Sequence, residues 1–316
     1  MDYAQILFGD TRQLPILPVV DHYAGSEKLI RKALTLQREQ GPIFDLTCDC
    51  EDGAPTGHET EHALMCAELI NSAENQFGRV AARIHDITHP HWKTDLEVLI
   101  SHAGARLAFL TLPKPRSVTD VTTQITELQR LEELYELSRP IPIHVMIETH
   151  GALHDVWKIA ALSRVESLDF GIMDFISDHR GAIPATAMTS PGQFTHPLIV
   201  RAKCEMVAAA LGNNVIPTHN VCTELKDSAQ IFQDAQRARR EFGFLRMWSI
   251  HPNQIPAIIN ALRPDFSEVE DAIAILNAAQ EQSWGPIKYN GKLHDRASYR
   301  YYWQLLQCAR ATGMKV

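Results

Sequence analysis

Two acidic residues, Glu148 and Asp174, each follow a strongly apolar stretch of the kind that forms a buried β-strand. The first stretch covers residues 141–147, and the second starts at Ser167 and finishes on Asp174 itself. If the two stretches are neighbouring parallel strands, both carboxylates emerge side by side at one rim of the sheet. Carboxylate oxygens are the ligands that hard divalent cations prefer. We therefore predict a metal site that is formed by Glu148 and Asp174.

Further polar residues stand at the ends of the other predicted strands. In chain order they are Asp49, Glu51, Asp52, Arg83, Lys114, His219 and His251. Active sites of barrel enzymes lie at the carboxyl ends of the strands, so we predict that this set shares one rim. Structural interpretations stay open, because a carboxylate at a strand end can cap a helix and Arg83 can simply neutralise the acidic turn before it. The two histidines can likewise be hydrogen-bonded structural groups.

The elements that must position these residues alternate along the chain. Eight strand-like segments are each followed by a helical segment, beginning with a proline-interrupted apolar run from Leu14 to Val20. No linker or low-complexity block breaks the alternation. We therefore predict an α/β fold, namely a (β/α)8 TIM barrel over residues 1–282, with a C-terminal helical extension over residues 283–316.

Composition excludes some classes of function. The 30 basic and 38 acidic residues give a net charge of -8, which argues against nucleic-acid binding because that needs clustered positive charge. No apolar run approaches the roughly 18 residues of a membrane span, and no basic segment leads into an apolar core at the N-terminus, so we expect a cytoplasmic protein. Of the six cysteines only Cys48 and Cys50 are close in sequence, without the second pair that a zinc site needs, and we expect reduced thiols.

Short motifs at the strand ends resemble those of a known family. In order they are Asp49-Cys50-Glu51-Asp52-Gly53, Ala82-Arg83-Ile84, Leu112-Pro113-Lys114, Ile147-Glu148-Thr149, Phe170-Gly171-Ile172-Met173-Asp174 and Ser249-Ile250-His251-Pro252-Asn253-Gln254-Ile255. With this set the chain resembles the HpcH/HpaI aldolase and citrate lyase beta-subunit family, which includes the malyl-CoA lyases. The resemblance runs from residue 10 or so to residue 312.

The resemblance implies a TIM barrel that binds Mg²⁺ through Glu148 and Asp174. It also implies that Arg83 contacts the carbonyl or carboxylate of the substrate, which makes Arg83 a catalytic candidate. A C-terminal segment of such proteins packs over the active site of a neighbouring subunit and supplies a catalytic aspartate. In this chain Gly291-Lys292-Leu293-His294-Asp295 stands in that place, so Asp295 is the second catalytic candidate, although it could instead belong to a surface turn beside Arg296.

The expected function is therefore a Mg²⁺-dependent carbon–carbon lyase that cleaves or forms a 3-hydroxy acyl-CoA thioester. Asp49, Glu51, Asp52 and Lys114 are the candidate substrate-binding residues, and the expected assembly is a homo-oligomer, a trimer or a hexamer. Two alternatives stay open: a class II aldolase that releases pyruvate from a 4-hydroxy-2-oxo acid, and a non-catalytic subunit that binds an acyl thioester in a larger complex. The sequence after Asp174 departs from the pattern of the family, so the acyl group is not determined.

Overall fold

Eight parallel strands form a closed barrel in chain order, which confirms the predicted TIM-barrel class. The computed structural model describes residues 3–316. The barrel strands are β1 (Val20–Ala24), β2 (Asp45–Asp49), β3 (Val80–Arg83), β4 (Leu110–Leu112), β5 (Ile143–Ile147), β6 (Val165–Phe170), β7 (Ile216–His219) and β8 (Arg246–Ser249). Strand β1 pairs with β2 on one side and with β8 on the other, which closes the barrel.

Helices cover the outside of the barrel, and one or two of them follow each strand. The helices are α1 (Tyr3–Phe8), α2 (Glu27–Gln40), α3 (Glu59–Asn71), α4 (Trp92–Ala103), α5 (Val118–Leu134), α6 (His150–His154), α7 (Val156–Ala160), α8 (Ile172–Asp178), α9 (Pro197–Gly212), α10 (Ser228–Arg237), α11 (Gln254–Leu262), α12 (Phe266–Glu281) and α13 (Arg296–Ala311). An antiparallel hairpin of β9 (Ile287–Tyr289) and β10 (Lys292–His294) precedes α13. Across residues 3–316, no helix combines the length and the hydropathy that crossing a membrane requires.

Local sequence explains how the helix after β4 begins. The Ser117 hydroxyl accepts a hydrogen bond from the backbone N–H of Asp120 at 3.3 Å, which caps α5. Val121, Ile125 and Leu128 follow at helical spacing and are buried in the main core. The cap fixes where the loop after β4 ends, and this loop carries Lys114.

The prediction that Leu14 to Val20 forms the first strand is wrong. Strand β1 begins only at Val20, and residues 12–18 have no regular structure. Pro15 and Pro18 lack the N–H group that a strand must donate to its neighbour, so the apolar run up to Pro18 cannot join the ladder. The first strand therefore ends at Ala24, four residues beyond the end that the apolar pattern indicates.

The predicted strand from Ser167 to Asp174 is also too long. Strand β6 ends at Phe170, and α8 begins two residues later at Ile172. Asp174 consequently lies in the first turn of a short helix rather than at a strand end. A continuous apolar run does not distinguish a strand from a buried helical turn, which is why the pattern concealed this boundary.

Charged side chains occupy the barrel interior below the mouth. The Arg246 guanidinium is buried, with Nη2 at 2.6 Å from Asp45 Oδ2 and at 3.6 Å from Asp21 Oδ2. Thr47 Oγ1 donates to Asp21 Oδ1 at 2.7 Å. Burial raises the pKa of the Asp21 carboxyl to about 6, although Arg246 opposes the increase. The lower barrel is thus held by a buried ionic cluster, which the sequence analysis did not identify.

The C-terminal extension packs against helices from both ends of the chain. Leu7 of α1, Ile275 of α12, and Tyr299 and Leu306 of α13 belong to one hydrophobic cluster that is separate from the main core. Helix α12, which precedes the expected boundary at residue 282, therefore packs with the extension. The boundary itself stays a prediction.

Candidate active site

Glu148 lies directly after β5 at the mouth of the barrel, as the sequence predicts, and its side chain is fully buried. One carboxylate oxygen, Oε1, accepts a hydrogen bond from the backbone N–H of Lys114 at 2.7 Å. The other oxygen, Oε2, is buried and has no hydrogen-bond partner among the described residues. A buried acceptor without a partner is costly, so this oxygen is a candidate ligand for a cation.

Gly171 provides the space that the Glu148 carboxylate occupies. A β-carbon at position 171 would lie 2.0 Å from Glu148 Oε2 and 2.7 Å from Glu148 Cβ. Both distances are far below van der Waals contact, so any side chain at this position would displace the carboxylate. The glycine that precedes α8 is thus part of the geometry of the site.

We expect Gly171→Ala to weaken Mg²⁺ binding and to destabilise the fold by about 1–3 kcal/mol, which is typical of overpacking. Urea unfolding and calorimetric titration with Mg²⁺ measure the two effects. Gly285→Ala is the control, because the β-carbon there would meet only Gln282 O, at 3.3 Å, in the extension. Unchanged Mg²⁺ affinity in Gly171→Ala would contradict the role of this position.

Asp174 shares the mouth with Glu148, although it comes from α8 rather than from a strand. Both residues line a cavity of about 390 Å³, together with Lys114 and Arg116. Both also line an adjoining cavity of about 170 Å³ that reaches Arg83. The Asp174 side chain is 37% exposed, so it meets solvent where Glu148 does not. The structure thus brings the two predicted metal ligands to one place.

The electrostatics around Glu148 favour a bound cation. Burial raises the pKa of the Glu148 carboxyl well above its usual value, and the nearby Asp174 raises it further. A divalent cation between the two groups would reverse both effects, because it supplies the opposite charge that the buried carboxylate lacks. The site fits a hard, oxygen-ligated ion such as Mg²⁺. It has two carboxylates, a buried oxygen without a partner among the described residues, and space at Gly171 for the Glu148 carboxylate.

Arg83, the last residue of β3, is held by two carboxylates from the end of β2. Its Nε and Nη2 donate to the two oxygens of Asp49 at 2.8 Å and 2.6 Å, and Nη1 lies 3.0 Å from Glu51 Oε2. Burial alone would raise the pKa of Asp49, but Arg83 and the backbone N–H groups of Glu51 and Gly53 outweigh it and hold this pKa below its usual value. The guanidinium is therefore fixed in orientation and stays charged.

Lys114 links three segments at the mouth. Its ammonium contacts Glu51, lies 2.7 Å from Asp52 Oδ2 and lies 3.7 Å from Asp174 Oδ1. Its backbone has a left-handed φ of 48°, which turns the loop so that the N–H reaches Glu148. Partial burial alone would lower the pKa of the Lys114 ammonium, but these acidic partners outweigh it and raise the pKa. The predicted substrate-binding residues thus form one network of carboxylates and cations.

The mouth also has an aromatic wall, formed by Tyr23 and Trp248, which the sequence analysis missed. The two rings stack with their centroids 4.2 Å apart, and the Arg83 guanidinium carbon lies 5.3 Å from the Tyr23 centroid. Met146 Sδ contacts Arg83 Nη1 at 3.7 Å. Strand alternation could have identified Met146 and Trp248, since each lies inside a predicted strand. Tyr23 was hidden because the first strand was misplaced.

The structure does not place Asp295 among the rim residues of its own chain. Asp295 caps α13, where its Oδ1 accepts from the backbone N–H groups of Ala297 at 3.0 Å and Ser298 at 3.4 Å. The residue is exposed on the extension, and it does not line the cavities at the mouth. Its catalytic role stays a prediction.

The two histidines of the rim set make structural contacts. His219 is buried, with Nε2 at 2.8 Å from Lys203 Nζ and Nδ1 at 3.0 Å from Asn220 O. His251 accepts from the backbone N–H of Asn253 through Nδ1 at 3.2 Å. Both contacts agree with the structural interpretation of these residues.

The chain is similar to known proteins over most of the barrel. A model of the HpcH/HpaI aldolase/citrate lyase family matches residues 46–252. The chain is similar to a citrate lyase from Burkholderia xenovorans LB400, with 51% identity, 95% of this chain and 94% of that chain covered, and a TM-score of 0.87. It is 25% identical to an L-malyl-CoA/beta-methylmalyl-CoA lyase from Cereibacter sphaeroides over 80% of this chain and 83% of that protein.

The fold is also similar to that of the protein CitE from Mycobacterium tuberculosis, solved in complex with magnesium, acetoacetate and coenzyme A. The identity is 19%, the TM-score is 0.70, and 93% of this chain and 98% of that chain are covered. The segment that matches the family model contains the acidic turn after β2, Arg83, Lys114, Glu148 and Asp174.

Proposed function

This chain belongs to the HpcH/HpaI aldolase/citrate lyase family and is a carbon–carbon lyase, and we propose that it cleaves a 3-hydroxy acyl-CoA thioester in a Mg²⁺-dependent reaction. The observation that carries the proposal is the Glu148 carboxylate, whose buried Oε2 has no partner among residues 3–316 and which shares two cavities with Asp174. The relative from Cereibacter sphaeroides is named for malyl-CoA and beta-methylmalyl-CoA, and CitE was solved with magnesium and coenzyme A. These names support a thioester as the substrate.

Glu148 and Asp174 would hold the Mg²⁺ ion. When bound, the ion supplies a Lewis acid for the negative charge that develops on a substrate oxygen. The two carboxylates come from consecutive strand–helix units, so the barrel fixes their spacing before any ligand arrives. Such a preformed site avoids the cost of ordering the ligands at the moment of binding.

Arg83 would orient the substrate through its free hydrogen-bond donor. Three of its five N–H groups donate to Asp49 and Met146, and Nη1 also lies 3.0 Å from Glu51 Oε2, so the second N–H on Nη2 has no partner among the described residues. A substrate carboxylate or carbonyl oxygen would accept from this group. Because the two acidic side chains fix the guanidinium, the donor keeps its direction with little loss of conformational entropy.

Cleavage needs a proton at the carbon that leaves. As the carbon–carbon bond breaks, the hydroxyl of the substrate loses its proton to water and becomes a carbonyl, and the electron pair of the broken bond passes to the thioester enolate. The enolate carbon must then take up a proton, and we assign this transfer to the carboxyl group of Asp295 of a neighbouring subunit, which regains its proton from water. The exposure of Asp295 on the extension, away from its own mouth, supports a role between subunits.

We expect Asp295→Asn to lower kcat by at least about 100-fold, which is the lower end of the rate enhancement that a general acid or base provides. Stability should hardly change, because Asn caps helices as well as Asp does. Steady-state kinetics and thermal unfolding measure the two effects. Asp265→Asn is the matched control, since Asp265 caps α12 in a similar capping box and is also exposed.

Mixed oligomers test whether Asp295 acts between subunits. Asp295→Asn and Glu148→Gln chains, each inactive alone, are refolded or expressed together. In a mixed oligomer, a mouth with an intact Glu148 can receive an intact Asp295 from the partner, so activity should return. If mixing restores no activity, Asp295 does not act across the interface.

The function itself is tested with a panel of thioesters. Purified protein is incubated with Mg²⁺ and malyl-CoA, beta-methylmalyl-CoA or citramalyl-CoA, and products are separated by chromatography. We expect Mg²⁺-dependent cleavage of at least one thioester and no cleavage of the matching free acids. Pyruvate release from free 4-hydroxy-2-oxo acids would support the aldolase alternative instead. Failure to cleave any of these compounds would overturn the proposal.

A further inference from the structure

A second group of metal-binding side chains lies behind the mouth, where α3 packs on the end of β2. Cys48 and Cys50 are two residues apart, so both point to the outer face of the strand, while Asp49 between them points to Arg83. His62 and Cys66 are four residues apart on α3 and so share the face that covers this strand. The helix therefore supplies the second pair of ligands that the sequence analysis did not find.

These four side chains are buried and close together. The ligand atoms of Cys50, His62 and Cys66 all lie within 4.8 Å of one another. The Cys48 thiol is a further neighbour of the Cys66 thiol. All three cysteines are at most 1% exposed, and His62 is 8% exposed. Two thiols and one imidazole thus converge on a single point in the interior, and the third thiol, Cys48, lies next to Cys66.

The imidazole of His62 has the hydrogen bonding of a metal ligand. His62 Nε2 lies 2.8 Å from the carbonyl oxygen of Asp49. A carbonyl only accepts, so Nε2 carries the proton and Nδ1 keeps a lone pair. This bond is the only one that the structure, within residues 3–316, gives to the ring. Metal-binding histidines usually donate their other N–H to a carbonyl or carboxylate in this way.

We propose that Cys50, His62 and Cys66, with Cys48 as the fourth ligand, form a structural Zn²⁺ site. Thiolate and imidazole ligands favour Zn²⁺, whereas the carboxylates at the mouth favour Mg²⁺, so the two sites select different ions. Three cysteines and one histidine are among the ligand sets that tetrahedral structural Zn²⁺ sites use. Packing alone would account for three buried thiols, and the Asp49 carbonyl accounts for Nε2 of His62, but neither gives Nδ1 a partner among the described residues.

Zinc at this position would fasten α3 to the end of β2. That strand end carries Asp49 and Glu51, which orient Arg83. The second shell of the zinc includes the Asp49 carbonyl, so the backbone of this residue would connect the zinc site with the mouth. The role is structural, and no part of the lyase reaction passes through it.

The test measures zinc directly. Wild-type protein is stripped with chelator, incubated with Zn²⁺ alone, freed of excess ion by gel filtration and analysed by inductively coupled plasma mass spectrometry. We expect about one zinc per chain, as for a structural site. Cys50→Ala and Cys66→Ala should retain about a tenth of the wild-type zinc content or less. The controls, Cys204→Ala at an exposed position and Glu148→Gln, should retain the full wild-type zinc content. Wild-type protein without zinc, or full zinc in Cys50→Ala, would overturn the proposal.

Cobalt provides a second readout that needs no variant. Co²⁺ added to the stripped wild-type protein should produce a thiolate-to-metal charge-transfer band in the near ultraviolet. Cobalt binding without that band would show that the thiols are not ligands. Neither measurement depends on lyase activity, so failure here leaves the proposed function untouched, and failure of the thioester panel leaves the zinc site untouched.

Discussion

Replacing Glu148 with Gln is expected to lower kcat at least about 10³-fold, which corresponds to roughly 4 kcal/mol of transition-state stabilisation. The reason is that the amide would offer a neutral oxygen where the cation needs a charged one. The same change should not destabilise the metal-free protein. Burial raises the pKa of Glu148 well above its usual value, so the ionised carboxylate is a cost that the amide avoids.

The pH dependence of stability separates this effect from general damage. Because the pKa of Glu148 is raised in the folded state, its contribution to stability is complete below the ordinary pKa of a glutamate, about 4.3. That contribution is lost as the pH rises towards the raised value. Without Mg²⁺, the wild-type protein should therefore lose more stability than Glu148→Gln as the pH rises above about 4.3.

Thermal unfolding with and without Mg²⁺ completes the experiment. Mg²⁺ should raise the Tm of the wild-type protein, because a ligand that binds only the folded state stabilises it, and should leave that of Glu148→Gln unchanged. Glu205→Gln is the control, since Glu205 pairs with Arg201 on the surface of α9. An active Glu148→Gln variant that still responds to Mg²⁺ would rule out this metal site.

Replacing Arg83 with Met is expected to abolish activity and to destabilise the fold by about 3–5 kcal/mol, the usual cost of removing one partner of a buried ion pair. The variant leaves Asp49 buried without its cation, while Glu51 keeps Lys114 as its cationic partner. Urea unfolding at pH 7 measures the loss. Arg130→Met is the control, because Arg130 pairs with Glu127 on the exposed face of α5 and should contribute little.

Acid should reduce the difference between wild type and Arg83→Met. The pKa of Asp49 is held below its usual value in the folded protein, so the stability that this pair contributes is complete above the ordinary aspartate pKa, about 3.9. It is lost as the pH falls through the lower folded value. The gap between the two unfolding curves should narrow below about pH 4. A gap that is constant with pH would mean that the ion pair is not its source.

Sequence alone predicted the parts of the site that depend on strand ends. Glu148 and Arg83 lie where the predicted strands finish, and the barrel rule places such residues at one mouth. The prediction of strand boundaries failed where hydrogen-bonding capacity rather than hydrophobicity sets the start of a strand, as at Pro15 and Pro18. Tyr23 was missed because β1 was placed too early as a result.

The sequence also did not predict contacts between residues that are far apart in the chain. Arg246 and Asp45 are 201 residues apart and meet only because the barrel closes. His62 and Cys66 on α3 lie close to Cys50 because the helix packs on β2, and no short sequence motif predicts this contact. Asp174 was assigned to the right mouth but to the wrong kind of element, because an apolar run has the same appearance in a strand and in a buried turn.

The requirement for glycine at position 171 has a practical consequence for redesign. Variant libraries that aim at new acyl groups can vary the aromatic wall of Tyr23 and Trp248, which contacts Arg83. Position 171 must be left out of such libraries, because every other amino acid would fill the volume that the carboxylate occupies. A library that varies the aromatic wall and keeps Gly171 therefore preserves the space for the Glu148 carboxylate.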